Sequence, residues 1–413
     1  MTVAISYSNL SQQLTKALDK TEKKENGIYF TPPSVIEHAL AFLEPYLTNA
    51  KTALEPSCGS CEFATRLMSK YPQIHTTGVE FNETIYRSIQ PLAGERLNLI
   101  HADFLKYEPS SPTKYDLIVG NPPYFVMKKQ SVPSSYYPYF EGRPNIFILF
   151  IVKSLQLLTH NGILCFVLPQ SFLNCLYYDK TRKYIADKFR ILGIWNAEGD
   201  YLETKQETIV LVVQNTSPTG DNNTTTTTNR PFILEIDTYT VLGNPDDISR
   251  LSSCYAGSTT LAKMGCQVSV GNVVWNQCVG LLTDDTTQTR LIYSSDISDG
   301  QLGCKTYANE KKKNYIRKKG EREPTLVINR GYGVGSYQFQ YCIIDVDYEY
   351  LVENHLIVIR SPSASTREQT LEIYKKIIRS FQDARTEAFI QLYFGNNAIN
   401  TTELDCVLPI YEV

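Results

Sequence analysis

The chain has 413 residues, two to three times the roughly 150 of one ordinary domain, so two domains or one unusually large one are expected. A composition of 42% hydrophobic and 20% charged residues excludes a collagenous, coiled-coil or wholly disordered protein. With 40 Lys and Arg against 43 Asp and Glu, the net charge of −3 excludes binding to nucleic acid by bulk positive charge and leaves only a local basic surface open.

The N-terminal stretch has no apolar run behind a basic start, so no signal peptide is expected. Residues 145–158, the most apolar stretch, are broken by Lys153 and Gln156 and are too short to span a bilayer. A soluble, cytoplasmic protein without membrane contact is the expectation, with its ten Cys as free thiols. Cys58 and Cys61 form a CxxC, but no second pair completes a zinc site, and the five His have no ligand spacing, so no metal is expected.

A helix is predicted from Thr31, entered through Pro32 and Pro33, with Val35, Ile36, Ala39, Leu40 and Leu43 at helical spacing. Short apolar runs then alternate with helical segments, at residues 52–54, 77–79, 97–100, 116–119, 163–168, 191–195 and 208–213. Nearly all-apolar strands alternating with helices predict a doubly wound, mainly parallel α/β sheet. A low-complexity Asn/Thr stretch at about 215–230 ends this pattern and reads as an exposed loop. Beyond it, short β-rich runs at 268–274, 326–329, 340–346 and 355–360 precede one predicted helix at 366–388. The boundary falls between 215 and 245, which gives domains 1–240 and 241–413.

The most specific signal is Asn121-Pro122-Pro123-Tyr124, directly after the strand-like 116–120. In doubly wound sheets ligands bind beyond the carboxyl ends of the strands. The Asn121 side-chain oxygen and the Pro122 carbonyl offer two acceptors to one exocyclic NH2, which turns the amine lone pair out of conjugation. Prolines hold these acceptors rigid, and Tyr124 offers a ring to stack on a base. Three further strand ends carry suitable groups. Leu54-Glu55-Pro56-Ser57-Cys58-Gly59-Ser60 opens a helix with small residues that let backbone approach a ligand. Glu80 stands where a carboxylate accepts from ribose hydroxyls, and Asp103-Phe104 pairs an acceptor for an adenine amino group with a stacking ring.

In order, Gly27-Ile28-Tyr29-Phe30-Thr31-Pro32-Pro33, the Glu55 loop, Gly78-Val79-Glu80, Ala102-Asp103-Phe104 and Asn121-Pro122-Pro123-Tyr124 resemble the gamma-class (TaqI-like) adenine-N6 DNA methyltransferases over residues 27–213. The resemblance implies a Rossmann-like class I S-adenosylmethionine-dependent methyltransferase domain followed by a smaller α+β target-recognition domain. It assigns Thr31, Glu55 and Cys58 to the methionine end of S-adenosyl-L-methionine, with Tyr29, Ser57 and Gly59 also among the cofactor-binding residues. Glu80 goes to the ribose, and Asp103, Phe104 and Phe150 to the adenine, with Phe81 and Asn121 also at the cofactor. Asn121, Pro122, Pro123 and Tyr124 would hold the target amine, and Tyr201 would contact the flipped base. Cys61 departs from the glycine of many members, which predicts a slightly altered approach to the ligand.

Between 305 and 322 eight Lys and Arg face two Glu, a local charge of +6 with Tyr307 and Tyr315 interleaved. Lys311, Lys312, Lys313, Arg317, Lys318 and Lys319 are expected at phosphates, and Arg330 at guanine. The expected partners are double-stranded DNA and a separate cognate restriction endonuclease, with the protein a monomer on DNA. Methylation of RNA adenine or of a protein glutamine, and a catalytically silent DNA-specificity protein, are the alternatives.

Overall fold

The protein is described by a computed structural model covering residues 6–110, 113–204, 206–218, 230–330, 339–361, 366–394 and 399–411. Most of the Asn/Thr stretch, Gly331, Tyr332 and Gly333, and residues 395–398 lie outside these. The chain divides into two compact units, one of residues 1–235 with 239–248, the other of 236–238 with 249–413.

The first unit is built on seven strands in the order β3-β2-β1-β4-β5-β7-β6. They are β1 Thr52–Glu55, β2 His75–Glu80, β3 Leu97–His101, β4 Tyr115–Gly120, β5 Leu158–Pro169, β6 Arg190–Asn196 and β7 Thr208–Gln214. All pairings from β3 to β5 are parallel, whereas β7 runs antiparallel to both β5 and β6. The link from β6 to β7 is too short for a parallel crossover, which accounts for this one reversal.

Successive side chains of a strand face opposite sides of the sheet, and here both sides are covered. Leu164, Phe166 and Leu168 of β5 join one core, while Ile163, Cys165 and Val167 join the other. The first core is capped by the almost wholly buried α6 (Ile146–Gln156). The second is capped by α3 (Pro33–Leu43), whose predicted apolar stripe is buried throughout, and by Phe63 and Leu67 of α4 (Glu62–Lys70). Before α3 come α1 (Asn9–Ala17) and α2 (Lys20–Asn26), and α5 (Glu83–Ile89) follows β2. Strand order reverses between β1 and β4, which opens a crevice at their carboxyl ends.

The second unit holds an antiparallel sheet of Gln267–Val270, Leu356–Arg360, Thr325–Asn329 and Tyr341–Ile344. A smaller sheet joins Leu282–Thr283, Tyr315–Ile316, Thr289–Ile292 and Tyr350–Val352. The single helix predicted at 366–388 is two helices, Arg367–Phe381 and Ala384–Tyr393. Asp383 breaks it, because its side chain accepts from the Arg385 N–H and caps the second helix. Among the described residues no helix is long and apolar enough to cross a membrane.

Candidate active site

A cavity of about 450 Å³ opens at the carboxyl ends of β1 to β4, within the usual range for a small-molecule site. Glu80 ends β2 at its wall, 7% exposed. Its Oε2 accepts from the Gly59 N–H (2.9 Å) and its Oε1 from the Asn82 N–H (2.7 Å). Burial pushes this carboxyl above its ordinary range, and the backbone N–H groups of Asn82 and Gly59 pull it part of the way back. Each oxygen keeps a further lone pair for a ligand hydroxyl. Asp103 also lines the cavity, with Oδ1 on the Leu105 N–H at 3.0 Å. Phe104 and Phe150 meet beside it with ring centroids 4.9 Å apart, and Phe81 exposes 67% of its surface at the rim.

Tyr29, Ser57 and Gly59 line the same cavity, whereas Thr31, Glu55 and Cys58 are buried behind its wall. Glu55 turns Oε2 to the Ala64 N–H (3.0 Å) at the start of α4. Burial first, and then Cys61, push its carboxyl well above the ordinary range. The Cys58 thiol is likewise raised well above its ordinary value, by its hydrogen bond with Cys61 and by burial. Cys61 adopts the left-handed conformation (φ 60°) that glycine takes most easily, so the departure noted in the sequence keeps the backbone path. Neither thiol is exposed, and of the ten cysteines only Cys304 is. Among the described residues no group of three His, Cys, Asp or Glu is arranged to hold a metal.

Asn121 and Pro123 border the cavity directly beyond β4, so the four strand ends singled out in the sequence converge on one space. The Asn121 amide is held from both ends: Nδ2 donates to the Tyr29 carbonyl (3.2 Å), and Oδ1 accepts from the Tyr124 hydroxyl (2.5 Å). The Tyr124 hydroxyl also lies 2.8 Å from the Val167 carbonyl, and burial, with Tyr201 adding to it, raises that phenol well above its ordinary value. Ser57 Oγ donates to the Asn121 carbonyl at 3.2 Å, which ties the β1 loop to the β4 turn. Pro122 is buried behind the turn. Gly27 explains why the first motif needs a glycine. It sits at φ +62° after α2, and a Cβ there would lie 2.5 Å from the Tyr124 nitrogen.

Tyr201 does not line this cavity; it borders a narrow neighbouring cleft with Tyr29 and Phe30, its hydroxyl 2.9 Å from Thr208 Oγ1. Burial raises its phenol to about 12. Sequence reading missed Asn82 and Glu22. Asn82 Nδ2 donates to Glu22 Oε1 (2.7 Å), which joins α2 to the β2 end at the cavity. The Asn that caps α5 was a readable signal; Met127 of the apolar wall carries none, because no period marks a loop, and its neighbour there, Ile146, opens α6.

In the second unit the basic segment is not uniform. Lys311, Arg317, Lys318 and Lys319 are exposed, and Lys313 pairs with Asp284 at 2.7 Å. Lys312 is instead held over the rings of Tyr307 (4.0 Å) and Tyr293 (4.1 Å), where burial lowers its ammonium below the ordinary value. Arg330 donates its N–H to the His355 carbonyl, and His355 Nδ1 meets the buried Glu353 carboxylate. The positive charges of Arg330 and Lys312, after burial, lower the imidazole, so these sequence-distant groups form one patch.

Residues 9–201 match the profile of the Eco57I restriction-modification methylase family. A type II methyltransferase, M.CvrRI of Paramecium bursaria Chlorella virus XZ-6E, is 27% identical over 412 residues, 95% of this chain and 96% of its own. The tRNA1(Val) (adenine(37)-N6)-methyltransferase of Proteus mirabilis is 30% identical over 133 residues, 30% of this chain and 51% of its own. Among solved structures, the cryo-EM structure of a DrdV–DNA complex shares the fold with a TM-score of 0.53 and 12% identity, over 97% of this chain and 57% of that one.

Proposed function

We infer that the chain is a DNA methyltransferase of the restriction-modification kind, dependent on S-adenosyl-L-methionine, as the Eco57I-type match and the viral type II relative support. We propose further that it is a gamma-class enzyme acting on N6 of an adenine flipped out of duplex DNA, with the second unit as its target-recognition domain. One observation carries this reading: the strand ends suited to a nucleoside cofactor border a single cavity with Asn121 and Pro123 of the Asn-Pro-Pro-Tyr turn.

The cavity fits the cofactor by its donors and acceptors. Glu80 is placed for two ribose hydroxyls, Asp103 for an adenine amino group, and Phe81, Phe104 and Phe150 supply the apolar wall. When bound, the cofactor supplies an electrophilic methyl group on a sulfonium. The chain's own work is at the acceptor amine. Asn121 Oδ1 already takes the Tyr124 proton and has a second lone pair for one amine hydrogen, while the Pro122 carbonyl takes the other. Because Tyr29 holds Nδ2, the amide presents its oxygen rather than its nitrogen. Both acceptors draw the amine toward tetrahedral geometry with its lone pair toward the methyl carbon, and the proton leaves after transfer. Tyr124 and Tyr201 offset part of the cost, a few kcal/mol, of unstacking the base.

The test is transfer of labelled methyl to unmethylated duplex DNA, with the modified positions mapped. Label at adenine N6 is expected; label only in RNA or protein overturns the proposal. Asn121→Ala is expected to lower turnover by roughly 100- to 1,000-fold while cofactor binding survives. RNA is the second reading, favoured by the likeness to the tRNA methyltransferase of Proteus mirabilis. Its alignment covers only 30% of this chain, whereas the viral type II methyltransferase aligns along 95%. A cognate endonuclease and a monomeric state on DNA belong to the same proposal.

A further inference from the structure

The connection from β6 to β7 carries Tyr201, and residues 7–34 grip it on both sides of that ring. Before the ring, the Tyr7 hydroxyl lies 3.1 Å from the Asp200 carbonyl and 3.3 Å from that of Phe30. Gly199 packs so closely on Pro32 that a Cβ would lie 2.7 Å from its ring. After the ring, Lys23 Nζ meets Glu203 Oε1 at 2.6 Å and the Thr15 carbonyl at 2.7 Å. The Lys23 side chain is only 5% exposed.

A partly buried charge pair is a poor source of net stability, because desolvation cancels much of its attraction, yet it fixes geometry. Thr208 Oγ1 holds only the far end of Tyr201, so the near end takes its place from this grip. The same segment supplies the Tyr29 carbonyl that orients Asn121 and the glycine packed on Tyr124.

We infer that Lys23 and Glu203 are positioning residues for the Tyr201 ring, and that residues 7–34 set the hold on the flipped base as well as closing the cofactor cavity. This rests on the adenine-N6 reading above.

The experiment measures single-turnover methylation by the full chain on two duplexes, one with the target adenine paired and one with it opposite an abasic site. Affinity for S-adenosylmethionine is titrated in parallel. Glu203→Gln and Lys23→Met are expected to slow the paired duplex by roughly 10- to 100-fold, the scale of a small misplacement of a positioned group. On the abasic duplex, where flipping costs less, most of the rate returns. Cofactor affinity stays within about two-fold, since neither side chain lends it a charge. Lys23→Arg, which keeps the charge, restores the paired rate. Equal losses on both duplexes, cofactor affinity falling in step, or wild-type rates in both variants each overturn the inference. Should Lys23→Met fail to fold, Glu203→Gln, whose side chain is 27% exposed, answers the same question. Wild-type protein that leaves adenine N6 unmethylated refutes the underlying reading instead.

Discussion

Single residues in this protein hold two jobs at once, and that makes their substitution informative. Gly27 must take a positive φ and must let α2 end against the Tyr124 backbone. Gly27→Ala adds a left-handed cost of ~1–2 kcal/mol and a steric clash, so thermal unfolding should show a loss of at least that size together with slower turnover. Glu80 is a buried acceptor for two backbone N–H groups and, in the proposed function, the partner of ribose hydroxyls. Its folded value lies above the ordinary ~4.3, so acidification protonates it earlier than a solvent-exposed glutamate. Cofactor affinity is therefore expected to fall as pH drops through a window that begins above ~4.3, and Glu80→Gln should bind weakly and without that dependence, as calorimetric titration across pH would show. Both positions were legible in the sequence as motif members. The clash that forbids a side chain at residue 27 was not, because it depends on a backbone nearly a hundred positions away.

At the level of elements, the alternating apolar runs specified all seven strands of the first unit, because strands buried on both faces leave an unbroken hydrophobic signal. The antiparallel β7 and the split C-terminal helix are set by connection length and by the Asp383 cap, which periodicity does not see. Asp116 shows how elements are joined. Its Oδ2 accepts from the Lys51 and Thr52 N–H groups at 2.9 and 3.1 Å, and its Oδ1 from Thr159 Oγ1 at 3.2 Å, so one carboxylate ties the entries of β1, β4 and β5. Burial opposes its ionisation, but these donors outweigh burial and leave the carboxyl below its ordinary value. A depressed acid stabilises fully above its unfolded value, ~3.9, and loses that contribution as pH falls through the folded one. Acid unfolding of wild type should therefore steepen below about pH 4, and Asp116→Asn should flatten that limb while lowering stability at neutral pH.

For the molecule as a whole, the net charge of −3 averages a first unit with acids at its strand ends and a second unit with a basic segment. Counting charges along the sequence overstates what that segment presents to phosphates, because Lys312 is sheltered by two rings and Lys313 is paired. Neutralising Lys311, Lys318 and Lys319 together should lower the slope of log affinity against log salt by about 2 to 3 on every sequence. Lys312→Met should leave that slope nearly unchanged and instead cost ~1–2 kcal/mol in unfolding of the second unit. Cys304, the one exposed thiol of the ten, adjoins Lys305 at the start of this segment. With Cys58 and Cys61 buried and Cys175, Cys278 and Cys406 half-buried, Cys304 is thus the most accessible handle for chemical labelling beside the expected phosphate contacts. A fluorophore coupled there through maleimide should respond to duplex DNA and stay silent to S-adenosylmethionine alone, giving an optical readout of docking without altering one residue of the enzyme.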